Sequence, residues 1–142
     1  MKQALGPGLL QVLENLYVTA CAVEAKSYAL AANLFPKLRT LGLEVRGGDG
    51  QLDIAQLGEL PCLESLSLSG WEHVSLRGNS LLPALKQLDF DNGDFNEVTT
   101  VVLDAKLPSL QSLTVSGIDT LQLSGELPQL MLLKLLAIDK PT

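Results

Sequence analysis

The sequence predicts a mostly β, right-handed solenoid of about six turns. A parallel sheet lines its concave side and short second strands lie on its convex side. Three observations predict it. Of the 142 residues, 33 are leucine while aromatic residues make up only 4%; a core assembled from many copies of one small apolar slot is how stacked repeats are built. An L-x-x-L-x-L pattern, with Val, Phe or Ile allowed, begins at Leu13, Leu38, Leu63, Leu85, Leu110 and Leu130, so that successive copies start at short and nearly even intervals. Five of the six copies also carry a proline two positions ahead of the first Leu, at Pro36, Pro61, Pro83, Pro108 and Pro128, each preceded by Leu or Phe.

Each copy justifies one strand. Its second and third apolar residues, such as Leu66 and Leu68, are two apart, the period of a strand with one buried face. The proline falls just before the strand, where its missing N–H breaks no ladder bond. One such strand cannot bury its apolar side alone, so the copies stack into a parallel sheet over a continuous core. The whole of 1–142 then forms one domain, with repeats starting near 10, 35, 60, 82, 107 and 127.

The segments between strands differ. In the first copy, Ala22, Val23, Ala25, Tyr28, Ala29, Leu30, Ala31 and Ala32 predict one helix near 22–34, as a cap or as the convex leg of the first repeat. Later copies carry Leu52-Asp53-Ile54, Val74-Ser75-Leu76, Val101-Val102-Leu103 and Leu121-Gln122-Leu123, which alternate as second short strands. The Leu110 copy, the shortest of the full copies, leaves no room for a comfortable helical return. Gly47-Gly48-Asp49-Gly50 reads as a hairpin-like turn; it lacks the Lys-Ser/Thr of a phosphate loop. No polar closing unit follows the sixth strand, so both ends read as uncapped.

The unit [L/F]-P-x-L-x-x-L-x-L resembles the leucine-rich repeats from about Leu9 to the C-terminus, a family counted as α/β by convention. The position that holds Asn or Cys in that family falls on Cys21, Arg46, Trp71, Gly93, Ile118 and Ile138. Only Cys21 fits, which implies an irregular type without the usual asparagine ladder and with partly apolar turns after the strands. The stretch from Leu60-Pro61 to Gly70 is similar to arrays in plant disease-resistance receptors and in irregular bacterial repeats.

Side chains alternate along a strand, so the positions between core residues face outward on the concave side. Between the second and third core residues these are Tyr17, Gly42, Ser67, Asp89, Thr114 and Lys134. The flanking columns are Asn15, Thr40, Ser65, Gln87, Ser112, Leu132 and Thr19, Glu44, Ser69, Asp91, Ser116, Leu136. This surface is small, hydroxyl-rich and mildly acidic. Its candidate partner-binding residues are Tyr17, Ser65, Ser67, Ser69, Trp71, Gln87, Asp89, Asp91, Ser112, Thr114 and Ser116; the plainer alternative is a solvated sheet face. Trp71, the one tryptophan, is either an interface anchor or a plug at the core edge, and the core assignment is preferred.

Other functions find little support. The net charge is −6, and the ten Lys and Arg are scattered, which argues against nucleic acid and against an anionic membrane surface. The opening Met1 to Leu5 runs into Gly6-Pro7-Gly8, and the Leu-dense stretch 127–138 is broken by Pro128, Gln129 and Lys134; neither signal peptide nor membrane span is expected, and the location reads as cytoplasmic. Cys21 and Cys62 stand far apart in the chain and in no metal-type spacing, and read as buried or half-buried thiols. The single histidine, His73, has no partner spacing that suggests catalysis, so no enzyme activity and no cofactor are expected. The acidic stretch 89–97 has a calcium-loop flavour, but Gly93 falls at its fifth place and Thr100 at its twelfth, so it reads as a solvated turn without metal. The expected role is a protein–protein interaction scaffold with an unidentified protein ligand. The rival is a self-associating module that stacks through its ends, with Met131, Leu132 and Leu136 as the contact.

Overall fold

A computed structural model describes residues 13–21, 37–46, 50–53, 60–78, 82–91, 100–118, 120–136 and 140–141. In chain order the strands are β1 (Asn15–Cys21), β2 (Thr40–Arg46), β3 (Gly50–Asp53), β4 (Ser65–Ser69), β5 (Trp71–Gly78), β6 (Gln87–Asp91), β7 (Thr100–Lys106), β8 (Ser112–Ser116), β9 (Thr120–Glu126), β10 (Leu132–Leu136) and β11 (Lys140–Pro141). They form two parallel sheets, a first of order β1-β2-β4-β6-β8-β10 and a second of order β11-β9-β7-β5-β3. The chain is thus a mostly β parallel solenoid of about four full turns: β2–β3, β4–β5, β6–β7 and β8–β9.

The spacing of the sequence pattern is the register of the first sheet. Leu16 pairs with Leu41, Leu41 with Leu66, Leu66 with Leu88, Leu88 with Leu113 and Leu113 with Leu133. The differences in residue number are the intervals of the repeat. A slip of one residue would turn every leucine outward, so the apolar alternation fixes the pairing. Leu41, Leu66, Leu88 and Leu113 are fully buried, each contributing on the order of 1.5–3 kcal/mol. The second sheet closes the other side of the core with Leu52, Val74, Leu76, Val101, Leu103 and Leu121.

Two corners join the sheets. The proline corner is a β-turn: Leu63 N–H donates to the Leu60 carbonyl (3.2 Å), and the same bond recurs from Leu85 to Leu82, Leu110 to Leu107 and Leu130 to Leu127. Proline stands at the second turn position, where its fixed φ fits and no N–H is needed. The opposite corner after β4 uses Gly70, at φ 77°, a conformation costly to residues with a Cβ. A Cβ there would also run into the Val45 carbonyl oxygen. Beside it, Trp71 turns into the core, only 2% exposed, and its indole N–H donates to the Leu43 carbonyl (3.1 Å).

Several expectations change. The six repeats appear as six strands of the first sheet, but not as six full turns: β1 has no second-sheet strand among the described residues, and β11 spans two residues. The helix expected near 22–34 lies outside the described residues, and among the described residues there is no helix. Residues 47–49 of the expected hairpin-like turn also lie outside them; Gly50 opens β3, in the other sheet from β2. Cys62 is a free, exposed thiol and not a buried one, because the residue after proline in the corner points outward; the Cys21 side chain lies outside those described. Leu133 and Leu135 hold core positions in the repeat yet are each 42% exposed, since β10 is the edge strand of its sheet.

Candidate interaction face

The outward side of the first sheet is set by alternation. In β4, Leu66 and Leu68 are buried while Ser65, Ser67 and Ser69 are not; in β8, Leu113 and Val115 are buried between Ser112, Thr114 and Ser116. The register aligns these residues into rungs. Ser67 lies between Gly42 and Asp89, and Ser69 between Glu44 and Asp91. Ten of the eleven expected binding residues therefore share one surface, with Tyr17 on β1 at one end and Ser112, Thr114 and Ser116 on β8 toward the other. The eleventh, Trp71, is corrected: it is buried in the core, and no partner could reach its ring without opening the corner.

Tyr17 is the aromatic feature of this face, 72% exposed. Its ring lies over Gly42, where a Cβ would come within 2.7 Å of Cδ1. Gly42 is thereby buried although it occupies an outward position. Next to Tyr17, the Thr19 hydroxyl donates to Glu44 Oε2 (3.1 Å). On β6, Gln87 Nε2 donates to Asp89 Oδ2 (3.0 Å). A shallow depression of about 330 Å³ runs across these strands, walled by Tyr17 and rimmed by Glu44 and Asp91, with Ser67 and Ser69 as its floor.

The flank of the sheet carries a charged row that reading along the chain does not reveal. The Arg39 guanidinium meets Glu64 through Nε (2.6 Å) and Glu14 through Nη1 (3.6 Å), and Lys86 Nζ lies 3.7 Å from Glu64. The backbone stacks them: the Glu14 carbonyl accepts from the N–H groups of Arg39 and Thr40, and the Arg39 carbonyl from those of Glu64 and Ser65. The hydrogen bond from Arg39 holds the Glu64 carboxyl below the usual carboxylate range. A larger depression runs along this row. Its charges alternate in sign from Glu14 through Arg39 and Glu64 to Lys86.

No metal centre assembles among the described residues: no group of three or more His, Cys, Asp or Glu comes together there. Asp89 and Asp91 project from β6, and residues 92–99 of the acidic stretch lie outside the described residues. The serines of the face belong to the first sheet and His73 to β5 of the second. No helix among the described residues is long and apolar enough to cross a membrane. Compared with known proteins, the chain matches no family model, no curated protein and no solved structure.

Proposed function

We propose that this chain is a non-catalytic protein–protein interaction scaffold, an irregular leucine-rich-repeat solenoid of six repeats working in the cytoplasm. Its binding surface is the outward side of the first sheet. The observation that carries this reading is the rung alignment of Ser65, Ser67, Ser69, Gln87, Asp89, Asp91, Ser112, Thr114 and Ser116 on one continuous sheet. Short polar side chains on a stacked, fully buried core give a partner's side chains room to settle on a rigid floor. The test is capture of a partner from source lysate, comparing the natural chain with a Ser67→Arg/Thr114→Arg variant. A partner lost only in the variant supports the reading; a partner retained by both removes it.

A second reading is self-association through β10. Met131 is 80% exposed, and Leu132, Leu133, Leu135 and Leu136 are also exposed. An apolar patch of this kind marks a contact surface. Here Leu136→Lys lowers the mass measured by light scattering, while Ser67→Arg/Thr114→Arg leaves it unchanged.

A further inference from the structure

β10 is unlike the inner strands of its sheet. It has β8 on one side and no strand among the described residues on the other. The Leu132 N–H donates to the Gln111 carbonyl (3.0 Å), and the Leu136 carbonyl accepts from the Gly117 N–H (3.0 Å). Backbone groups point to alternate sides along a strand. Leu132, Lys134 and Leu136 therefore turn theirs to β8, and Leu133 and Leu135 aim theirs at the open edge. Such an edge is a template for one more strand. It is also apolar on both faces. Leu132 and Leu136 stand exposed on the outward side, where β8 carries Ser112 and Ser116. Leu133 and Leu135 stand exposed on the core side.

The strand reads Leu-Leu-Lys-Leu-Leu, the same in both directions. A two-fold contact requires a patch that complements itself, and antiparallel pairing about Lys134 provides one. Leu133 of one copy then stands opposite Leu135 of the other and exchanges both backbone bonds with it, while Leu132 stands opposite Leu136. The far end of the sheet does not offer the same surface. Val18 on β1 holds the place in the repeat that Leu135 holds on β10, and Val18 is buried. A head-to-tail stack of copies lacks the second open end it needs.

We infer that the occupant of the β10 edge is β10 of a second copy, joined antiparallel about Lys134 into a closed dimer with one continuous sheet. This deepens the self-association reading and rests on it. Lys134 sets the strength of the contact. The two lysines stand directly opposite on the outward face, where their long stems lean apart toward water; like charges so placed weaken the pair. An edge of five residues also falls short of the roughly 800 Å² per partner of a lasting interface. The dimer therefore forms at high concentration, and β10 stays open in dilute solution.

The test is sedimentation equilibrium of the whole chain and of variants at Lys134, an exposed position whose replacement leaves the core intact. Lys134→Gln tightens self-association about threefold, and Lys134→Glu leaves it as weak as in the natural chain. An equimolar mixture of the natural chain and Lys134→Glu associates about fivefold more tightly than either alone. Tyr17→Ala, on β1, changes nothing. A mixture no tighter than its components overturns the inference. So does a loss of association in Tyr17→Ala, which would place β1 of the next copy on β10. If Leu136→Lys leaves the mass unchanged at every concentration, self-association through β10 fails as a whole. If Leu136→Lys lowers the mass but the mixture shows no gain, β10 remains the contact and only the two-fold pairing is lost.

Discussion

The indole N–H of Trp71 reaches back to the carbonyl of Leu43, 28 residues earlier in the chain, and closes the corner between the two sheets. The Leu43 carbonyl already belongs to the ladder of a central strand, and the indole N–H finds there the partner that a buried donor needs. Trp71→Phe keeps most of the ring and leaves the Leu43 carbonyl with its place in the β-ladder alone, so it costs about 0.5–1.5 kcal/mol. Trp71→Ala adds a cavity and costs about 3–5 kcal/mol. Urea titration resolves the two as successive falls in midpoint at constant slope.

Gly70 and Gly42 are both crowded, for different reasons, and their alanine variants separate them. Gly70 has positive φ and faces the Val45 backbone, which cannot yield. Gly70→Ala is expected to cost on the order of 2 kcal/mol or more. Gly42 faces only the Tyr17 ring, which can swing away. Gly42→Ala costs under about 1 kcal/mol, and nothing further in a Tyr17→Ala background. A double-mutant thermal melt decides the pair.

Acid should loosen the flank. The folded Glu64 carboxyl lies below its ordinary value of 4.5, so its contribution is complete above that pH. It is lost as pH falls through the lower, folded value. Glu64→Gln therefore lowers Tm slightly at neutral pH, and the gap between variant and natural chain closes on acidification. Because the row is exposed, added salt narrows the same gap. A gap that widens toward low pH contradicts the assignment.

Leu88 and Leu133 occupy the same place in the repeat with opposite surroundings. Leu88 is fully buried and Leu133 is 42% exposed. Leu88→Ala is expected to cost about 2–5 kcal/mol and Leu133→Ala under about 1 kcal/mol. Chemical denaturation of both variants checks it, and a loss at Leu133 equal to that at Leu88 would mean β10 is covered in solution.

Much of the architecture is legible in the chain because one local rule is repeated. Leu66, Leu88 and Leu113 announce both a strand and its neighbour, since equal positions in successive copies pair directly. Val74-Ser75-Leu76 and Leu121-Gln122-Leu123 alternate clearly enough to mark the second sheet, and both fall inside strands. The charged row is hidden because Arg39 and its partner Glu64 belong to different copies of the repeat. It becomes visible only when the residue after each first Leu is read down the copies: Glu14, Arg39, Glu64, Lys86. The outward turn of Cys62 depends on corner geometry, which the L-P-x-L spacing does not specify by itself. The seat of Tyr17 on Gly42 needs the rung alignment, since neither residue is unusual on its own.

The parallel pairing also has a kinetic meaning. Separations along the chain between paired residues span a narrow range, from that of Val101 and Leu121 at the short end to that of Val74 and Val101 at the long end. Every loop that must close during folding is therefore of nearly the same modest length, however many turns are stacked. Ordering can begin at any adjacent pair and spread like a zipper in both directions. Amide protons exchange slowest in β4 and β6, which have neighbours on both sides and lie in the middle, and fastest at β10, where the zipper has an open tooth.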